Sequence, residues 1–158
     1  MPVQLAILGS GLFAQNAYLP AIKANSSTLS LHTIWSRSAS SAQKLADAAK
    51  SLGIQSQSQS QNQGETAVQH GDEGLEAVLQ NKEIQGVMMV LPITSQPDLI
   101  LKALAAGKHV ISEKPVGKDI ETAKRLIEEY EKTYKPKGLI WRVAESERHK
   151  SLCLCFHR

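Results

Sequence analysis

At 158 residues the chain has room for one domain of ordinary size with a single substantial core. Hydrophobic residues make up 42% and charged residues 21%, which is the balance of a globular protein and excludes a disordered one. A formal charge of only +3, spread without blocks, together with 4% aromatic residues, argues against nucleic acid as a partner: neither a basic stripe nor base-stacking platforms are available.

In chain order, Val3–Leu8 reads as a buried strand and residues 12–23 as a helix, with apolar positions at helical spacing. Residues 29–35 alternate Leu, Leu, Thr and Trp against Ser, His and Ile, and read as a second strand. The alanine-rich stretch 39–52 is a helix stopped by Gly53. Residues 55–64 form a polar Gln/Ser tract that can bury nothing, and are expected to be a solvated loop insertion. Regular structure resumes with a helix over 72–80 and a strand over 85–91 that ends at Pro92. A helix over 96–106, closed by Gly107, leads into a strand at His109–Ser112. Asp119 is a good N-cap for an amphipathic helix over 120–132, because its carboxylate can accept from the first free N–H groups. Residues 138–143 are the last strand. Strands alternating with helices predict an α/β fold, a Rossmann-type doubly wound parallel sheet, over residues 1–145. The charged and then apolar tail, 146–158, fits no element.

No run approaches the ~20 apolar residues of a membrane span, and the N-terminus lacks the basic region of a secretory signal. Cys153 and Cys155 stand one residue apart, which makes a poor disulfide. The expected compartment is the cytoplasm, and no membrane partner is expected. Cys153, Cys155 and His157 lack a second ligand pair, so no metal is expected either.

The chemistry concentrates in three places. Gly9-Ser10-Gly11-Leu12-Phe13-Ala14 is a G-x-G-x-x-A turn between a strand and a helix. Gly9 permits the tight turn, Gly11 lets backbone approach a pyrophosphate, and Ala14 lets the helix pack on the strand. The helix start then favours a phosphate. The second strand ends in Ser36-Arg37-Ser38, with no acid until Asp47. A carboxylate there would repel a 2′-phosphate, whereas Arg37 can pair with one and stack on adenine, and the serines add hydroxyl donors. The expected cofactor is therefore NADP rather than NAD. The third place is Glu113-Lys114, just beyond the carboxyl end of a strand, where ligands bind in open α/β sheets. A lysine there can donate to a substrate oxygen as hydride moves, especially where burial lowers its pKa. An ordinary solvated Glu-Lys pair is the competing reading. A P-loop does not fit Gly107-Lys108: Lys102 stands where its first glycine would be, and His109 where it needs Ser or Thr.

The string from Ala103 to Pro115, with its Gly107-Lys108-His109-Val110 and Glu113-Lys114-Pro115, together with the N-terminal glycine turn, resembles the Gfo/Idh/MocA oxidoreductases from Val3 to about Glu145. The resemblance implies that Lys114 is the catalytic lysine near the nicotinamide, that Glu113 lines the same site, and that the peptide before Pro115 is cis. Pro92 matches the proline of that family's Thr-Pro-Asn turn, but Leu91 and Ile93 replace its polar neighbours. Leu91 and Pro92 are therefore expected beside the cofactor without the usual polar contacts. The family continues with a β-sheet substrate module carrying an Asp-x-x-x-His pair, which these residues lack. The expectation is an NADP-binding domain of an oxidoreductase acting on a hydroxyl or carbonyl of a sugar-like or small alcohol or aldehyde substrate, with the α+β substrate domain absent and no turnover alone. A small-molecule substrate is expected as partner only where that domain is supplied. Homo-oligomers, or pairing with a full-length relative, are the expected associations. The alternatives are a non-catalytic NADP(H)-binding or regulatory module and a truncated gene-model fragment. Trp141, Val143, Leu152, Leu154 and Phe156 are expected to form an apolar patch that the missing domain would cover.

Overall fold

The computed structural model describes residues 1–56 and 64–145. Most of the Gln/Ser tract lies outside the described residues, and so does the tail with Leu152, Cys153, Leu154, Cys155, Phe156 and His157. Among the described residues six strands form one sheet: β1 (Val3–Leu8), β2 (Leu29–Ser36), β3 (Ala67–His70), β4 (Gly86–Met89), β5 (His109–Ser112) and β6 (Trp141–Val143). Their order is β3-β2-β1-β4-β5-β6 and every pairing is parallel. This is the doubly wound Rossmann order, with its switch point between β1 and β4.

The helices α1 (Leu19–Ala24), α2 (Ala39–Ser51), α3 (Gly71–Gln80), α4 (Gln96–Ala105) and α5 (Ile120–Glu129) join the strands. Along β1, Leu5 and Ile7 bury against α1 and α2, while Ala6 and Leu8 bury against α3 and α4. A central parallel strand is covered on both faces, so its apolar run is continuous rather than alternating. The same holds in β2, where Ser30, His32 and Thr33 are also buried. Nδ1 of His32 meets the Thr33 hydroxyl at 2.6 Å, and Nε2 meets Glu83 at 3.2 Å.

Local chemistry sets the helix ends. The Asp119 carboxylate accepts from Thr122 N–H at 2.7 Å, the expected cap. Gly53 and Gly107 follow α2 and α4 at φ +71° and +77°, where a side chain would be strained. Three elements differ from their sequence expectation. The first helix opens as a π-helical turn, Ala14–Tyr18, before α1. Pro20, near the start of α1, has no N–H to give to the preceding turn. The helix expected over 120–132 is α-helical only to Glu129, then passes through the π-turn Tyr130–Tyr134 and closes in a 3₁₀ turn, Lys135–Lys137. The edge strand β3 was without a sequence signal: it has four residues, none fully buried, and follows directly on the polar tract.

Candidate active site

The glycine turn sits at the carboxyl end of β1. Gly9 N–H donates to the Trp35 carbonyl at 2.8 Å, which ties the turn to the end of β2. Gly9 lies at φ +111°, and a Cβ on it would fall 2.1 Å from the Val90 carbonyl oxygen. The position admits only glycine. A Cβ on Gly11 would meet nothing within 4 Å, so that backbone faces open space where a phosphate can approach. Ser10 Oγ donates to Ser36 Oγ at 2.9 Å. Ala14 is fully buried, and its small side chain lets the helix sit on β1. Leu12 and Phe13 are 77% and 55% exposed at the mouth of the turn.

Beyond β2 lies a hollow of about 430 Å³, within the range of small-molecule sites. It is lined by Trp35, Arg37, Gly71, Asp72, Leu75, Leu91, Pro92, Ser95 and Leu99. Trp35 Nε1–H donates to the Gly71 carbonyl at 2.8 Å, fixing the floor. Arg37 is exposed and forms no salt bridge among the described residues, which leaves its guanidinium for a ligand. Asp72, from the first turn of α3, lines the same hollow. The tertiary structure thus brings an acid close to Arg37 that reading along β2 does not find.

Glu113 follows β5. Its N–H is shared between Gln96 Oε1 at 3.0 Å and the Met89 carbonyl at 3.2 Å. Its carboxylate accepts a hydrogen bond from the Tyr18 hydroxyl. Burial first, and then the bond and charge of Glu113, push the Tyr18 phenol well above its ordinary titration range. Tyr18 also packs edge-on against Phe13, ring centroids 6.0 Å apart. Lys114 is exposed, and the Lys114–Pro115 peptide is cis.

Residues 3–137 match the family described as "Oxidoreductase family, NAD-binding Rossmann fold", named for Gfo, Idh and MocA. The chain belongs to that family. Among curated proteins, a dehydrogenase of Fusarium mangiferae is 38% identical over 146 residues, covering 92% of this chain and 39% of its own length. Among solved structures, an oxidoreductase from Thermotoga maritima superposes with a TM-score of 0.72 at 30% identity, covering 91% of this chain and 38% of that one. A 3-ketoreductase from Actinomadura kijaniata, in complex with NADP and TDP-benzene, shares the fold with a TM-score of 0.71 at 24% identity, covering 91% and 37%. The chain thus spans about two fifths of the length of these relatives.

Of the residues the sequence points to in this Gfo/Idh/MocA chain, Gly9, Ser10 and Ser36 meet at one turn, and Arg37, Leu91 and Pro92 share one hollow. Glu113 and Lys114 follow β5 at the same edge of the sheet. Ser38, next to Arg37, caps α2: its hydroxyl accepts from Ser41 N–H at 3.4 Å. Lys114, expected in a buried setting, is exposed in this domain. Trp141, expected in an exposed patch, is 7% exposed. It stacks edge-on with Tyr130 and donates from Nε1 to Ser112 at 3.0 Å. Val143 is 37% exposed, as expected of that patch. Reading along the chain misses Tyr18, Gln96 and Asp72, because none belongs to a local motif and the partners of Tyr18 and Gln96 lie on another element. Lys108, in the Gly-Lys-His string, has a structural place: it is 5% exposed and its Nζ donates to the Asn81 and Ile84 carbonyls.

Proposed function

We propose that this domain binds NADP in preference to NAD, and forms the cofactor half of an active site for hydride transfer between nicotinamide and a hydroxyl or carbonyl carbon of a sugar-like or small alcohol or aldehyde substrate. The carrying observation is the convergence, at the carboxyl edge of one sheet, of the glycine turn, the Arg37 hollow and the Glu113–Lys114 turn. The residues present fit the dinucleotide: a backbone that admits no Cβ at Gly9, open space beside Gly11, and at the apolar-floored hollow a guanidinium that forms no salt bridge among the described residues. Arg37 follows β2 and Glu113–Lys114 follow β5, with β1 and β4 between those strands. An adenosine half on Arg37 therefore leaves the nicotinamide half towards Lys114.

Bound NADP supplies the hydride donor or acceptor. Gly9, Ser10, Gly11, Leu12 and Phe13 cradle the pyrophosphate, and Ser36 and Arg37 hold the 2′-phosphate. Leu91 and Pro92 give apolar contact. Lys114 as an ammonium donates its proton to a carbonyl oxygen when hydride arrives at the carbon; as an amine it takes the hydroxyl proton in the reverse direction. The described residues furnish the cofactor side of the site, and turnover is expected to need a substrate-binding domain as well.

Fluorescence titration with NADPH and NADH, followed by turnover assays with NADP and polyols, sugars or aldehydes, tests the reading. Several-fold tighter NADPH binding without turnover is expected. Equal affinities would overturn the cofactor assignment, and steady-state turnover that disappears in Lys114→Ala would overturn the need for further residues.

A further inference from the structure

We propose that Tyr18 is a positioning residue of this site: its phenol holds the Glu113 carboxylate, and with it the Glu113–Lys114 turn, at the nicotinamide end of the cofactor. The inference rests on the NADP reading above.

Glu113 leaves the end of β5 with a side chain that would otherwise be free to turn towards water. Its main chain is pinned, because Gln96, itself 1% exposed, accepts from its N–H at 3.0 Å. Tyr18 pins the other end through a bond that spans 95 residues of sequence. A hydroxyl donating to a carboxylate is among the stronger hydrogen bonds of a folded protein. The phenol is 8% exposed, so water cannot readily take its place. Burial and the carboxylate hold it in the protonated, donating form.

The location gives this bond its use. Tyr18 ends the π-helical turn that follows the glycine turn, and its ring rests against Phe13 of that turn. Strands β1 and β5 are not neighbours, since β4 lies between them. Tyr18 thus bridges the pyrophosphate turn and the Glu113–Lys114 turn across the top of the sheet. Phenylalanine keeps the ring and its packing and removes only the donor, so the carboxylate is released while the fold remains.

The test is to measure dissociation constants of NADPH and of adenosine 2′,5′-bisphosphate, which has no nicotinamide, for the full chain, Tyr18→Phe and Glu113→Gln. Melting temperatures and the proton NMR signal of the Tyr18 hydroxyl are recorded alongside. Tyr18→Phe is expected to weaken NADPH about five- to twentyfold while leaving the bisphosphate within about twofold. A downfield hydroxyl resonance is expected in the unmodified chain and in neither variant. Equal weakening of both ligands would mean a structural role, and unchanged NADPH affinity would mean none; either overturns the proposal. An unmodified chain that binds neither ligand overturns the NADP reading instead. Should Tyr18→Phe fail to fold, Glu113→Gln carries the same expectation with the phenol in place.

Discussion

A methyl group on Gly9 would lie 2.1 Å from the carbonyl oxygen of Val90. That approach joins the first strand to the strand across the switch point, and leaves no way to move aside because both partners are backbone. Gly9→Ala is therefore expected to destabilise the chain by at least about 3 kcal/mol, combining a left-handed φ with the clash. Gly11 has nothing within 4 Å of its missing Cβ and an ordinary φ. Gly11→Ala should cost under about 1 kcal/mol of stability, yet lose at least about tenfold in NADPH affinity. Urea denaturation and ligand titration of the two variants test this pair, and a Gly9→Ala chain as stable as the unmodified one would refute the steric argument.

Arg37 and Asp72 line one hollow with opposite charges. Arg37→Ala is expected to narrow the ratio of NADH to NADPH dissociation constants several-fold, through loss of a charge-assisted contact to the 2′-phosphate. Asp72→Asn should widen it, because a carboxylate near that phosphate repels it. Both shifts should shrink at high salt. A ratio that ignores both substitutions would place the 2′-phosphate elsewhere.

Lys108 is the buried lysine that holds the turn after α3 through the Asn81 and Ile84 carbonyls. Lys108→Met keeps the apolar stem and leaves those carbonyls without their donor. A loss of about 1–3 kcal/mol is expected, with NADPH affinity unchanged, because the turn lies at the opposite edge of the sheet from the cofactor. Denaturation midpoints and titration check it; a change in affinity without a change in stability would contradict the assignment.

The Tyr18 phenol has a raised pKa in the folded chain, from burial and from Glu113. Its contribution to stability is complete below the unfolded phenol's pKa of about 10 and declines above it, because the unfolded chain releases a proton that the folded chain keeps. Stability of the unmodified chain should therefore fall more steeply than that of Tyr18→Phe as pH rises from about 9 to about 11.5. Urea midpoints across that window measure the slopes, and parallel slopes would exclude the effect.

Ile140 and Val143 are 52% and 37% exposed, just before and at the end of the edge strand β6. An uncovered edge with apolar side chains invites pairing with another chain. Concentration-dependent self-association is expected in sedimentation experiments, and Val143→Lys should weaken it. A monomer at all concentrations, unaffected by that substitution, would show that the edge is protected.

The strands at Val3–Leu8 and His109–Ser112, the Asp119 cap and the glycine stops are legible in the sequence because each depends on local chemistry: a buried apolar run, a carboxylate before a helix, a residue without a Cβ. The glycine turn, Arg37 and Glu113–Lys114 are legible for a related reason, since the order of strands and helices alone sends each to the carboxyl edge of a doubly wound sheet. Edge strand β3 is not legible, because three half-covered residues and one exposed residue beside a polar tract become a strand only by pairing with β2. The burial of Trp141 depends on Tyr130 and Ser112, which belong to other elements. Glu113 is legible as a site residue, but its pairing with Tyr18 is not until β1 and β5 are folded into one sheet. Contacts between residues 95 apart follow from the packing of whole elements, and only the tertiary structure decides them.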